Sequence, residues 1–142
     1  MNHHAPNYEV IDHTADLGMV VKGADARDLF TNAAYAMSDL MIEGDMGGKG
    51  AKRRITIEGD DYSDLMVRWL GEILYLFAAE KLLARRIVIK SMSPTRLQAV
   101  LSMIRFNGAR HQILREIKAV TYHQITVEEK PHGWEARVIF DI

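Results

Sequence analysis

The chain begins with two short apolar runs that a polar junction separates. Residues 8–11 and 17–21 are rich in apolar side chains, and the polar segment 12–16 lies between them. Short apolar runs bounded by polar residues are typical of strands. The pattern therefore predicts two strands at the start of the chain, joined through the polar segment.

Two longer segments have the spacing of amphipathic helices. Apolar residues recur three or four positions apart after Asp25, over about 26–41, and again after Asp61, to about residue 80. An aspartate at the start of such a segment can accept hydrogen bonds from the free amides of the first helical turn. We therefore predict two helices that each bury one face.

Several other segments indicate strands. Residues 55–57, 86–90 and 121–128 are rich in β-branched side chains, and a turn is expected at Pro131-His132-Gly133. Over 134–141 apolar residues alternate with Glu135, Arg137, Ile139 and Asp141, so this last strand is expected to bury one face.

The segment after Pro94 is open to two interpretations. Its apolar residues Leu97, Val100, Leu101 and Ile104 have helical spacing, and Pro94 suits a first helical turn. The same residues also fit a long strand that ends at Asn107-Gly108. Periodicity alone mildly favours the helix.

The glycine-rich segment 44–50 suggests a phosphate-binding loop, but the details do not match. Glu43 stands where the first glycine of that motif belongs, and Gly50 stands where Ser or Thr should follow Lys49. We expect a flexible connection between a helix and a strand.

Composition restricts the function classes. The chain has 142 residues, a formal net charge of −1 and no cysteine, which excludes a disulfide scaffold and thiol chemistry. No apolar run is long enough to span a bilayer, and residues 1–6 lack the features of a signal peptide. We expect one cytoplasmic domain over 1–142, disordered at 1–6, that does not bind membranes.

The charge also bears on nucleic-acid binding. A net charge near zero argues against broad contact with a phosphate backbone, so direct nucleic-acid binding is not expected. Basic residues do cluster locally, and we interpret them as solvated strand ends that keep sheets soluble. These residues are Lys49, Lys52, Arg53, Arg54, Lys81, Arg85 and Arg86.

Two places in the chain concentrate carboxylates. The junction holds Asp12, His13 and Asp16, which could serve chemistry or satisfy turn amides, and the residues alone do not decide between these roles. At the other end, the side chain of Asp141 is followed by the α-carboxylate of Ile142. Like charges this close repel unless a cation compensates them.

Three strings of residues, taken together, resemble the archease family. They are Tyr8 to Gly18 with the sequence YEVIDHTADLG, Glu116 to His123 with the sequence EIKAVTYH, and the closing Phe140-Asp141-Ile142. The resemblance covers essentially the whole chain. It implies an α+β fold in which two amphipathic helices pack on an antiparallel or mixed β-sheet, and it favours a strand over 97–105.

The resemblance also implies a function and a site. Archeases are accessory proteins of the RtcB-type tRNA-splicing RNA ligase; they promote its guanylylation and turnover and broaden its nucleotide use without being enzymes. By resemblance, Asp16, Asp141 and Ile142 bind a divalent metal, and Lys118 takes part in ligase activation. The metal is calcium in the best-described form, with magnesium or manganese as alternatives, and hard oxygen ligands suit these ions. Further candidates near the metal are Asp12, His13 and His123.

Two other functions stay open. The chain could be a chaperone that protects RNA-modifying enzymes from aggregation. It could also be a metal-dependent phosphoesterase that uses Asp12, His13 and Asp16, although the sequence shows neither a nucleophile motif nor a paired general base.

Overall fold

The computed structural model describes residues 6–12 and 16–142, so His13 and residues 1–5 lie outside the described part. Two helices and ten strands occur in this part. The helices are α1 (Ala26–Met41) and α2 (Tyr62–Glu80). The strands are β1 (Asn7–Asp12), β2 (Asp16–Gly23), β3 (Ile42–Gly44), β4 (Ala51–Glu58), β5 (Leu82–Ser93), β6 (Arg96–Arg105), β7 (His111–Ile113), β8 (Ala119–Val120), β9 (Thr126–Lys130) and β10 (Gly133–Asp141).

Both helices begin where the aspartates predict. The side chain of Asp25 accepts a hydrogen bond of 2.8 Å from the backbone N–H of Asp28, and Asp61 accepts an equivalent bond of 2.8 Å from Asp64. Each bond satisfies one amide that has no partner within its helix. After α2, Lys81 adopts a left-handed conformation (φ 57°), which turns the chain into β5. The predicted helix bounds are confirmed.

All strand pairs are antiparallel and form three sheets. The largest has the order β1-β2-β10, and β8 and β9 both pair with the free edge of β10, at different positions along it. A three-stranded sheet has the order β4-β6-β5, and β3 pairs with β7. The predicted α+β fold of two helices on antiparallel sheet in a single domain is confirmed.

The helices and the inner faces of the larger sheets share one apolar core. Trp69 of α2 is fully buried, and its indole N–H donates a 2.9 Å hydrogen bond to the carbonyl of Phe30 in α1. The hydroxyl of Tyr35 in α1 accepts a 2.9 Å bond from the backbone N–H of Ile87 in β5. These bonds join the two helices to each other and to the three-stranded sheet. No helix in the described residues is long and apolar enough to cross a membrane.

The ambiguous segment is a strand. In β6, Leu97, Ala99, Leu101 and Met103 are buried on one face, which is the two-residue period of a strand. Val100 is only half-buried on the other face, so the helical spacing that includes it does not mark one continuous face. The strand expected from the resemblance is therefore correct.

The strand predicted over 121–128 is interrupted. Residues 119–120 form β8 and residues 126–130 form β9, and the chain turns between them, with Gln124 at φ 54°. Thr121 is held to β10 across the interruption, since its N–H and its hydroxyl both donate to the carbonyl of Ile139, at 3.0 and 2.9 Å. The β-branched composition indicated strand here but not the turn.

In β10, burial extends to Ile139, which lies outside the face expected to be buried. This residue is 1% exposed, although it shares the outer face of β10 with Glu135, Arg137 and Asp141. Its register partner is Gly18, and a Cβ at Gly18 would lie only 2.8 Å from Ile139 Cδ1. The glycine therefore leaves the space that Ile139 fills.

The glycine-rich segment is anchored rather than a free connection. The side chain of Asp45 accepts a 2.7 Å bond from the N–H of Gly47, and Arg110 donates a 2.7 Å bond to the carbonyl of Gly47. The Nε2 atom of His111 lies 2.7 Å from the carbonyl oxygen of Asp45. The segment joins strands β3 and β4, which is not the strand-to-helix setting of a phosphate-binding loop.

Candidate metal and activation site

The candidate metal site lies at one end of the five-stranded sheet, where β2 begins and β10 ends. Strands β2 and β10 are antiparallel, so the start of β2 lies beside the end of β10, and Asp16 is the register partner of Asp141. Directly opposed residues project from the same face with Cβ atoms about 4.5–5.5 Å apart. Two aspartates that are 125 positions apart in sequence are thus neighbours on the outer face.

Lys118 lies immediately beside this pair. Ala119 of β8 is the register partner of Asp141, and the backbone N–H of Lys118 donates a 2.7 Å hydrogen bond to the carbonyl of Asp141. The side chain of Lys118 is exposed. The three strands β2, β10 and β8 therefore bring Asp16, Asp141 and Lys118 to the same end of the sheet.

The carboxylates are not neutralised within the described part of the chain. Neither Asp16 nor Asp141 makes an ion pair there, and Ile142, which follows Asp141 directly, is about half exposed. Two aspartates and an adjacent α-carboxylate form an all-oxygen donor set, which suits a hard divalent cation. Side chains alone supply only two of these donors, and the described residues contain no cluster of three or more His, Cys, Asp or Glu side chains suited to a metal. The residues fit a metal that keeps water or takes ligands from a partner.

Of the other candidate residues, Asp12 ends its strand at the same end of the sheet as Asp16 and Asp141, whereas His123 lies in a turn. Asp12 ends β1 at the register position opposite Leu17, and His13 lies outside the described residues. His123 is exposed in the turn after β8, where its backbone N–H donates a 3.3 Å hydrogen bond to the hydroxyl of Thr121. Among the described residues, the His123 ring makes no hydrogen bond or ion pair with Asp16 or Asp141, and its suggested place near a metal stays a prediction.

One residue of this segment escaped the sequence analysis. The hydroxyl of Tyr122 donates a 2.6 Å hydrogen bond to Oδ1 of Asp64, in the first turn of α2. This bond, together with the backbone N–H of Asp60, lowers the pKa of Asp64, and the hydrogen bond to Asp64 raises the pKa of Tyr122. Tyr122 therefore fastens the chain that carries Lys118 and His123 to the start of α2.

Lys118 also borders a groove of about 390 Å³ on the helical side. The second half of α2 forms one wall, and residues 113–118 form the other. Lys81, Arg115 and Lys118 make the groove mainly cationic, with Glu116 as its acidic residue. Arg115 is fixed in position by donating a 3.1 Å hydrogen bond to the carbonyl of Leu40.

Comparison with known proteins identifies the family of this chain. Residues 8–142 match the model of the archease protein family. The chain belongs to the archease family. The archease of Methanosarcina acetivorans is 34% identical over 140 residues, covering 95% of each chain, and that of Thermoplasma volcanium is 35% identical over 140 residues, covering 95% of this chain and 98% of the relative.

Solved structures of other proteins agree with the archease fold. The solution structure of Methanobacterium thermoautotrophicum protein 1598 superposes with a TM-score of 0.78 at 28% identity, covering 95% of this chain and 98% of the other. The crystal structure of an archease from Thermotoga maritima, described as a possible chaperone, superposes with a TM-score of 0.64 at 21% identity, covering 99% and 100%. The second likeness shows the fold alone. The family resemblance seen in the sequence is confirmed.

Proposed function

We propose that this archease is a non-catalytic, cytoplasmic activator of an RtcB-type RNA ligase, and that it acts through a divalent metal held by Asp16, Asp141 and Ile142. The pairing of Asp16 with Asp141 beside Lys118 is the observation that supports the proposal most strongly. Membership of the family supports the same function.

The residues divide the work between holding the ion and contacting the ligase. The two aspartates and the α-carboxylate of Ile142 hold the metal, preferably calcium, with magnesium or manganese as alternatives. A bound divalent ion supplies positive charge that neutralises charge developing on a phosphate. Lys118 adjoins Asp141 through its backbone and borders the cationic groove, where its ammonium group contacts the ligase or a phosphate. His123 lies in the turn that follows β8, and Asp12 and His13 stay candidates near the metal.

Guanylylation of the ligase, measured without RNA, tests the proposal. We expect the chain to increase the guanylylation rate when metal is supplied and to lose this effect when the metal is chelated. The variant D16N/D141N should lose the stimulation, because it removes both side-chain charges while keeping their size. Glu135→Gln is the matched control: it removes an acid from the same face of β10, six positions from Asp141. Normal stimulation by D16N/D141N would overturn the proposal.

A second variant separates metal binding from activation. Lys118→Ala should keep the affinity for calcium, measured by titration calorimetry, yet reduce the stimulation of guanylylation. The control is Lys22→Ala, which removes an exposed lysine from the other end of β2. Unchanged stimulation by K118A would remove Lys118 from the mechanism.

A chaperone function is the second candidate. The description of the Thermotoga maritima relative favours it, and so do two neighbouring apolar residues, Ile113 and Leu114, which are 49% and 41% exposed. Suppression of light scattering by a heated client enzyme, unchanged in D16N/D141N but lost in I113S/L114S, would support this function over ligase activation.

A further inference from the structure

The outer face of the three-stranded sheet carries a group of cations. Lys52 in β4 is the register partner of Ser102 in β6, and Arg86 in β5 is the partner of Ser102 on the other side. Two residues further along β4, Arg54 is the partner of Val100. These residues alternate with the buried positions of their strands, so they share the face that points away from the helices.

A bulge adds a fourth cation to the same face. The pairing of β5 with β6 shifts between Ala84 and Arg86, which leaves Arg85 as the extra residue. Its Nη2 atom donates a 3.1 Å hydrogen bond to Oγ of Ser102, in the central strand. Its Nε atom is buried and has no hydrogen-bond partner. The guanidinium group is therefore tethered over the middle of the sheet with part of its donor capacity unused.

These four residues, here called the basic face (Lys52, Arg54, Arg85 and Arg86), have no acidic partner. In the described part of the chain none of them makes an ion pair. Their neighbour Arg53, on the opposite face of β4, does pair with Glu80, at 3.1 Å. On the outer face itself, Arg96 of β6 pairs with Glu58 of β4, at 3.6 Å, so the cations without an ion pair in the described residues are those grouped around Ser102 and Val100.

An open groove lies at the end of the sheet where β4 begins. The groove has a volume of about 680 Å³, and Lys49 and Arg105 contribute cations to its lining. Gly50 leads from this groove into β4, and a Cβ at Gly50 would lie only 2.2 Å from Oγ of Ser102. The glycine lets the backbone pass close to Ser102, at the centre of the basic face.

We propose that the basic face binds the phosphate backbone of single-stranded RNA. Lys52 and Arg54 are two residues apart on one strand and so about 7 Å apart along it, which allows them to contact different phosphates of an extended chain. None of the three strands contains an aromatic residue, so the face has no side chains for base stacking and contacts the backbone. The choice of RNA among polyanions rests on the proposed function, since the substrate of the ligase is RNA.

The chemistry of the face favours RNA over a protein surface. Protein interfaces have an apolar, often aromatic, core inside a polar rim. Here the half-buried Val88 and Val100 lie among charged and hydroxyl side chains, which is the arrangement of a nucleic-acid surface. The proposal revises the expectation drawn from composition, because a net charge of −1 averages this face with the acids at the other sheet.

Fluorescence anisotropy of a short labelled single-stranded RNA, with no ligase present, tests the proposal. We expect binding that weakens with salt, with a slope of log affinity against log salt of about −3 for four phosphate contacts. The variant K52E/R54E/R86E should bind at least about tenfold more weakly and with a much smaller slope. The matched control is K22E/R27E/K130E, which makes the same change of charge away from the basic face. Circular dichroism checks that both variants fold.

Each outcome decides the question. Weak binding by K52E/R54E/R86E together with normal binding by K22E/R27E/K130E supports the proposal. No binding of RNA by the parent at low salt, or equal losses in the two variants, overturns it. If RNA binding is unchanged and K52E/R54E/R86E instead loses affinity for the ligase protein, the face is a protein-docking surface and the proposal is wrong. Guanylylation without RNA should be normal in K52E/R54E/R86E, so failure of this proposal and failure of the activator function give different results.

Discussion

The two larger sheets are built alike but carry opposite charge. Both are antiparallel and both turn their inner faces to the same core. On the five-stranded sheet, Asp16 and Asp141 place acids at one end. On the three-stranded sheet, the cations of the basic face lie on the two edge strands, β4 and β5. Burial governs the inner faces of both sheets, whereas the outer faces are free to differ, and there the functional surfaces of this archease are expected.

The largest effect is expected from a change in the apolar core that both sheets share. Trp69→Ala should lower the free energy of unfolding by about 3–5 kcal/mol, because it empties a fully buried site and removes the hydrogen bond to Phe30. Urea denaturation followed by circular dichroism measures this loss. Tyr75→Ala, on the exposed face of the same helix, is the control and should change the stability little. Equal effects of the two changes would contradict a shared core.

A bound metal should stabilise the folded protein through the acidic end of the five-stranded sheet and not through the three-stranded sheet. With free calcium about a hundredfold above its Kd, bound metal adds about 2.7 kcal/mol, which raises the Tm by about 5–10 °C. Thermal melts with calcium and with chelator measure the difference. Extending the chain beyond Ile142 should reduce the shift, because the α-carboxylate becomes a neutral peptide group, whereas K52E should keep it. A full shift in the extended chain would exclude Ile142 as a ligand.

The smallest predicted effect concerns the link between the site and α2. Tyr122→Phe removes the hydrogen bond to Asp64 and should lower the Tm by on the order of 2 °C. The folded-state pKa of Asp64 is lowered by this bond, so the stabilisation is present above the unfolded pKa of about 3.9 and is lost as the pH falls further. The pKa of Tyr122 is raised, so its contribution persists up to about pH 10.

Melts of the parent and of Y122F across pH check this expectation. The difference in Tm should be constant between about pH 5 and 8 and should shrink below about pH 4. Tyr75→Phe serves as the control, since it removes the hydroxyl of another exposed tyrosine, on α2. A difference that does not depend on pH would show that the bond to the ionised Asp64 is not its source.

Local signals were enough to predict the helices. Asp25 and Asp61 start them, and regular apolar spacing carries each to its end, so the information lies within about twenty residues. The short strands β3, β7 and β8 were not predicted as such, because pairing with distant partners defines them. The spacing of Leu97 and Leu101 fits both helix and strand, and only the resemblance favoured the strand that β6 forms.

Some features of the candidate site could likewise be predicted from the sequence, and others could not. Asp16 and Asp141 were singled out from their strings, and the structure adds that they are register partners. Their role as metal ligands stays a prediction. The bond between Tyr122 and Asp64 joins residues 58 positions apart, and nothing in the local pattern of either residue indicates it. The basic residues were visible in sequence, but only the register shows that Lys52, Arg54 and Arg86 share one face.

The position of β10 has a consequence for how the molecule assembles. The three-stranded sheet uses only residues 51–105, in which β5 and β6 form a hairpin and β4 joins the other edge of β6 across α2, so an emerging polypeptide can complete it early. The five-stranded sheet cannot close until β10 inserts between β2 and strands β8 and β9. Bringing β2 and β10 together closes a loop of most of the chain, which costs conformational entropy before the contacts between them form. The acidic end should therefore form late in refolding, after the cationic sheet.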